Sequence, residues 1–542
     1  MKSPGSLLLL QNEQAGGTAI SLLYRWEFMD RKYTKTLEQW DHEPKRLRFI
    51  TSNDLRNFGE WFRDDLERES NRKKEQMIFW MTAVADPPVK RTPSCNLNLI
   101  HNTNTGSGET HQLARMWVEN CFLNHSCGDL HKARGRWNPT RVLDLEASDS
   151  HNSIKLWEPG IGHENITYVT LSHCWGAQTF LSLTASTYEQ FKKHVPSDAL
   201  TDTFKDAVST TRKLGIRYLW IDSLCIQQGN EVDWLIEANR MGDVYKYGYC
   251  NISAAFNEKS KAGLYVERNP LTVKHLVLAI DNGERPQAPT ALYLFHRQFN
   301  EWSDIIEATV NTRAWVFQER AISPRTLYFG SNQVFFECSW GMASEAWPMG
   351  IAVDWMNMSF QKTWSLKRNF QELLPNSAAE ETKNRHHDGY QELSNWEGLM
   401  EYYSNCGITK DSDRLIAISG LAEIVRRKTG LEYFAGLFNF QIEEQLLWRV
   451  VDRSECERAF GDTATWAPSW SWASVKGKED NQGKLRLHNY RGFCYKDLAV
   501  TTRVTIVSIN VATDEEHPCG RLDMEGDNSL EMRGKLTKRR VF

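Results

Sequence analysis

An α/β fold, with a mainly parallel sheet and flanking helices, is predicted by three observations. Between residues 165 and 340, short β-rich apolar runs alternate with amphipathic helical patterns, which is the signature of βαβ units. Helix-ending glycine falls where the pattern changes, at Gly215. Between Asp233 and Tyr245, apolar residues recur at Trp234, Leu235, Ala238, Met241, Val244 and Tyr245, a 3.6-residue period.

The elements follow in order. Ile166–Ser172 (ITYVTLS) reads as a strand, Phe204–Leu214 as a helix and Ile216–Ile221 (IRYLWI) as a buried strand. The periodic helix from Asp233 to Tyr245 leads to a strand at Tyr249–Ala254. Arg313–Ala321 (RAWVFQERA) is a short helix, and Thr326–Phe329 and Gln333–Cys338 are strands about a Gly-Ser-Asn turn. Residues 1–150 form a mixed N-terminal region, with a solvated charged helix expected at 63–75 and a loop at 102–109. Residues 350–395, which include His386, His387 and Asp388, read as an irregular insertion or linker. Residues 396–542 are a second mixed α+β region, with a helix at Asp413–Arg426, a turn-rich tryptophan segment at Trp466–Ser474 and a strand at Val504–Val511.

Composition excludes several function classes. The chain has 542 residues, 41% apolar and 25% charged, a globular balance of roughly three to four domains. Its net charge of −4 offers no general attraction to nucleic acid or acidic membranes. The leucine run near Met1 is too short for a secretory signal, and no stretch approaches the ~18 apolar residues of a membrane span. The 11 irregularly spaced cysteines fit a reducing, cytoplasmic setting with buried thiols.

Familiar motifs are absent or misplaced. No phosphate-binding Gly-x4-Gly-Lys loop occurs, and the Gly160-Ile161-Gly162 run precedes a strand instead of following one. His173 and Cys174 are adjacent at a strand end, so they point to opposite faces and do not form a nucleophilic dyad. Cys121, His125, Cys127 and His131 offer four potential zinc ligands within eleven residues. Their interleaved, short spacing favours a capped helix end with buried cysteines, while Cys121 and His125, about one turn apart on a continued helix, could share a metal; no metal is assigned and the zinc question stays open.

Three long blocks are more specific: Tyr168–Gly176 (YVTLSHCWG), Gly215–Gln228 (GIRYLWIDSLCIQQ) and Arg313–Arg325 (RAWVFQERAISPR). With Trp117-x3-Cys121 upstream, and Asp413–Gly420 (DRLIAISG) and Ala467–Ser474 (APSWSWAS) downstream, they resemble the fungal heterokaryon-incompatibility (HET) domain proteins. His173 departs from the family, which more often carries Tyr there, and the Cys-His-Cys spacing is shortened. The resemblance implies a self/non-self recognition and cell-death effector of fungal innate immunity. It also implies a distant likeness to TIR domains, which are flavodoxin-like, some of them hydrolysing NAD. No cofactor is implied, and NAD enters as a candidate substrate. Self-association is expected of a signalling module, and an unidentified partner protein or the flanking regions are expected to supply the trigger.

Ligands of open parallel sheets bind beyond the carboxyl ends of the strands. Ser172, His173, Trp175 and Gly176 follow one strand there, and Asp222 follows another. Trp175 could stack on a ring, and Gly176 could admit a sharp turn. Asp222 could cap a turn or bind ribose hydroxyls. On a helix, Trp315 and Glu319 share a face as i and i+4. This resembles the Trp-Cys-x-x-Glu helix of catalytic TIR domains and nominates Glu319 as catalytic. A carboxylate suits N-glycosidic cleavage, since it stabilises an oxocarbenium-like transition state. Gln318 or Ser172 could fix the ribose or a water, and Arg313 or Arg325 could clamp a diphosphate. The alternative for Glu319 is an ion pair with Arg313, Arg320 or Arg325. The alternative for the protein is a non-catalytic signalling scaffold.

Overall fold

The computed structural model of the chain describes residues 79–84, 102–146, 153–160, 162–176, 180–256, 263–268, 276–280, 290–296, 302–348, 350, 390–451, 456–458, 466–478, 484, 487–488, 504–514 and 517–534. The leucine run at the start, the charged cluster at 63–75 and His386, His387 and Asp388 of the expected insertion lie outside the described residues. The chain divides into two compact units. In the smaller one, 1–101 with 269–301, strand Thr290–His296 pairs antiparallel with both Phe79–Val84 and Leu276–Ile280.

The larger unit, 102–268 with 302–542, holds an eight-stranded sheet. Its strands are β1 (Val142–Asp144), β2 (Lys155–Trp157), β3 (Tyr168–Ser172), β4 (Tyr218–Trp220), β5 (Cys250–Ser253), β6 (Arg325–Phe329), β7 (Val334–Cys338) and β8 (Gly341–Ser344), in the spatial order β8-β7-β6-β5-β3-β4-β1-β2. The four central strands, β6, β5, β3 and β4, are mutually parallel. Antiparallel pairs flank them on both sides. The sheet is therefore mixed: the βαβ units make its parallel centre, and antiparallel pairs make its margins, with β6, β7 and β8 joined by short hairpins on one side. Read in chain order, the parallel strands lie 2-1-3-4, the flavodoxin-like order, with its switch point between β3 and β5.

Helices α1 (Gly108–Asn124), α2 (Asp202–Lys213), α3 (Glu231–Tyr247), α4 (Ala314–Ile322), α5 (Tyr390–Ser404) and α6 (Ser419–Thr429) surround the sheet. The winding direction reverses at β3, so right-handed crossovers put α2 on one face and α3 and α4 on the other. The contacts agree, with α1 packed on α2, and α3 packed on α4 and α6. Every residue of β3, β5, β6 and β7 is buried, as a sheet covered on both faces requires.

Local chemistry accounts for the helix ends. The Thr201 and Asn230 side chains accept from the third residue along, at the starts of α2 and α3, and Gly215 turns at φ +77° after α2. The helix expected at Asp413–Arg426 begins later than its pattern suggests, at Ser419, after two 3₁₀ turns. There the buried Arg414 is hydrogen-bonded back to Asp411, which holds the tighter turn. The start of α6 is capped from another element, because Gln318 Oε1 accepts from Gly420 N at 2.8 Å. Helices α3 and α6 meet through glycines: a Cβ on Gly242 would stand 2.9 Å from the Gly420 Cα.

Candidate active site

The strands that flank the switch point carry polar residues at every second position. Thr170 and Ser172 of β3 stand in register with Asn251 and Ser253 of β5, all four buried. Alternation places them on one face of the sheet. Thr170 Oγ1 donates to Asn251 Oδ1 at 2.9 Å, and Asn251 Nδ2 donates to Ser172 Oγ at 3.0 Å.

Helix α4 lowers Glu319 onto this row, and the Ser172 hydroxyl donates to Glu319 Oε2. Glu319 is 4% exposed. Burial pushes its carboxyl up from 4.5 to about 7, with the Asp222 charge adding to the rise, while hydrogen bonds from Ser172 and Tyr245 and the Arg313 charge oppose it. The ion-pair alternative is not realised among the described residues. Arg320 pairs with Glu337 of β7 at 3.1 Å, Arg325 donates to the Cys127 carbonyl, and Arg313 Nη1 donates to the His173 carbonyl at 2.6 Å.

Beside this pair lies a second one. Trp175 Nε1 donates to Asp222 Oδ2 at 2.7 Å, and Asp222 Oδ1 accepts from Ser223 N at the start of a short helical turn, Asp222–Cys225. Gly176 follows in the left-handed region at φ +66° and is exposed, so the turn after β3 needs a residue without a Cβ. Ser172, Trp175, Asp222, Arg313 and Glu319 therefore gather at the carboxyl ends of β3 and β4 through direct bonds and mutual charge effects.

His173 belongs to the wall of this region. It is buried, stacks on Phe204 with centroids 5.0 Å apart, and its Nε2 stands 3.6 Å from Asp222 Oδ1. Burial lowers its pKa, against the pull of Asp222, so the ring is held neutral. The Cys174 thiol is raised by burial, which leaves it protonated and weakly nucleophilic.

Three expected residues face elsewhere. Trp315 sets its ring edge-on to Trp234 at 6.2 Å and lies beside Asp413, whose carboxyl it helps to keep ionised. Gln318 is consumed as the surrogate cap of α6. Arg325 opens β6, and in a parallel sheet that is the end opposite to Ser172. Its side chain is completely buried over the Phe122 and Tyr249 rings. Sequence reasoning missed Asn251 and Tyr245. The period-2 polar residues in Cys250–Ser253 were the available signal for Asn251. Tyr245 reads from sequence as one apolar position of α3, but its buried hydroxyl donates to the Leu171 carbonyl at 3.3 Å, close enough to Glu319 to act on its carboxyl.

Residues 168–319 match the family model described as Heterokaryon incompatibility protein (HET). The matched segment runs from the first residue of β3 to Glu319 itself, so it contains both members of the Ser172–Glu319 pair. It covers a little over a quarter of the chain. No curated protein and no solved structure matches the chain. The central segment is thus a HET domain, which supports a function of the heterokaryon-incompatibility type. Among the described residues, no helix is long and apolar enough to cross a membrane.

Proposed function

We propose that this HET-domain protein is a self/non-self recognition and cell-death effector that acts by hydrolysing NAD at the nicotinamide–ribose bond in a TIR-like cleft. The observation that carries the reading is the Ser172–Glu319 pair at the switch point of a flavodoxin-like strand order. A carboxyl that is buried, free of an ion pair and poised near neutrality is a catalytic candidate on physical grounds.

In that reading, ionised Glu319 faces the ribose of NAD. As the C–N bond breaks, nicotinamide leaves with the bonding electrons and the ribose gains oxocarbenium character, which the carboxylate stabilises. Water adds to the anomeric carbon and loses a proton, giving ADP-ribose. Ser172 orients Glu319, Trp175 stacks on a ring of the ligand and Arg313 meets the diphosphate. Arg325 and Gln318 take no part. Glu319 is covered, so substrate entry requires a rearrangement that uncovers it, a step that self-association or a partner protein would drive.

The test is NAD consumption by the purified full chain, with a crowding agent to promote assembly. Wild type should consume NAD, and Glu319→Gln should lose at least about a hundredfold in rate. Absence of NAD loss in the wild type, with self-association verified in the same sample, would overturn the enzyme reading.

A second reading is a non-catalytic module acting by self-association. It draws on Val232 and Ile236, which stand one turn apart on α3 and are 70% and 50% exposed. Here Val232→Lys with Ile236→Lys should abolish both assembly and toxicity in cells, while Glu319→Gln leaves both intact.

A further inference from the structure

The motif Cys121-x3-His125-x-Cys127, read from sequence as a capped helix end, acquires a fourth member in the fold. Cys121 lies in the last turn of α1 and His125 is that helix's C-cap, so the two stack at i and i+4. The 3₁₀ turn Ser126–Gly128 then swings Cys127 back toward them. That turn is so tight that a Cβ on Gly128 would meet the Phe122 carbonyl oxygen at 2.1 Å. From the far side comes Cys338, the last residue of β7. The ligand atoms of Cys121, His125, Cys127 and Cys338 all lie within 4.8 Å of one another. His131, the fourth residue of the sequence cluster, is not among them, and its Nε2 stands 3.4 Å from Thr167 Oγ1.

We infer that Cys121, His125, Cys127 and Cys338 bind a zinc ion, which staples the end of α1 to the β7 edge of the sheet. A tetrahedral Cys3His zinc site has Zn–S of about 2.3 Å and Zn–N of about 2.0 Å, which sets its ligand–ligand edges at about 3.5–3.8 Å. The His125 Nδ1 to Cys338 Sγ separation is 3.6 Å, one such edge already formed. The other edges close by at most about 1.3 Å. No disulfide joins Cys121, Cys127 or Cys338, so no covalent bond holds these three sulfurs together. Three thiols and an imidazole converging from two distant segments match what zinc gathers.

The surroundings complete the argument. Three thiolates and a divalent ion leave one net negative charge. The buried guanidinium of Arg325 lies beside them, donating from Nη2 to the Cys127 carbonyl at 2.9 Å. Its Nε and Nη1 have no hydrogen-bond partner among the described residues, so its charge is left over by the rest of the fold. A buried unpaired cation is costly, and an anionic metal centre offsets it. The His125 ring is held flat on Trp340, at 5.6 Å and 22°, and Trp340 Nε1 donates to Ser126 Oγ at 2.9 Å. Cys127 Sγ and Ser339 Oγ are 2.9 Å apart. Such outer contacts fix ligand orientation. Four protein ligands leave no open position, so the ion's role is structural. The site lies at the amino end of the parallel strands, opposite Ser172 and Glu319, and does not rest on the proposed hydrolase activity.

The test is the metal content of the purified full chain. Wild type should carry about one zinc per chain, His131→Ala should keep it, and Cys338→Ser and Cys127→Ser should lose it. Exchange of the wild-type ion for Co(II) needs no variant to fold. It should give the intense visible bands and thiolate charge-transfer absorption of a tetrahedral thiolate site. Wild type that holds under a tenth of an equivalent of zinc, both as isolated and after Zn(II) is added under reducing conditions, would overturn the inference. So would a weak octahedral Co(II) spectrum, or full zinc retention by Cys338→Ser.

Discussion

Replacing Glu319 by Gln keeps the shape of the side chain and removes its ionisation, so it isolates the energetics of one buried carboxyl. That carboxyl is pushed from 4.5 up to about 7, mainly by burial. Each tenfold change in proton affinity is ~1.4 kcal/mol, so the fold disfavours ionised Glu319 by about 3 kcal/mol. The sign follows from proton binding. Between pH 4.5 and 7 the folded chain holds this proton and the unfolded chain does not, so stability falls as pH rises through that window. From pH 5 to 8 the loss assigned to Glu319 integrates to about 2–3 kcal/mol. Urea unfolding of the larger unit, followed by tryptophan fluorescence at pH 5 and pH 8, measures it. Other titrating groups act alike in both proteins and cancel in the comparison. Wild type should lose about 2–3 kcal/mol more than Glu319→Gln between the two pH values. Equal pH dependence in the two, within about 0.5 kcal/mol, would refute the account of a buried carboxyl titrating near neutrality.

The remaining predictions concern activity and packing. Any NAD turnover by the wild type should rise with pH through about 7, because only ionised Glu319 stabilises a cationic ribose, and a pH–rate profile checks this. Arg268 and Glu345 form a completely buried pair with two contacts of 2.6 Å. Arg268→Met should therefore cost about 3–5 kcal/mol in denaturant unfolding, and adding Glu345→Leu should recover much of it. Gly420→Ala would place a methyl 2.9 Å from the Gly242 Cα and 2.8 Å from Gln318 Oε1. It should lose about 1–3 kcal/mol, seen as a lower Tm.

The sequence and the structure agree most closely where the signal is local. The strand at Ile166–Ser172, the helix up to Gly215 and the helix at Arg313–Ala321 all stand within two residues of their expected ends. The helix expected at Asp413–Arg426 starts later, at Ser419, because its cap comes from Gln318, 102 residues away in the chain. For the same reason Gln318 could not be recognised as structural: its partner is remote in sequence and its side chain type suits either role. Proximity along the chain pairs Arg325 with Arg313. A helix and a turn between them carry the two to different ends of the sheet, which no spacing rule shows.

What the sequence by itself determined is the α/β class, the order of strands and helices along the chain and the motif blocks that mark the HET segment. These rest on periodicity, turn residues and contiguous motifs, all properties of neighbouring residues. The tertiary structure alone decided which residues meet. It set the 2-1-3-4 strand order, joined Ser172 to Glu319 across 147 residues and put Cys338 in place of His131 beside Cys121, His125 and Cys127. Such meetings are set by how crossovers stack strands and helices around a common core, and the cost of closing a loop grows only slowly with its length. Spacing along the chain therefore carries almost no information about them.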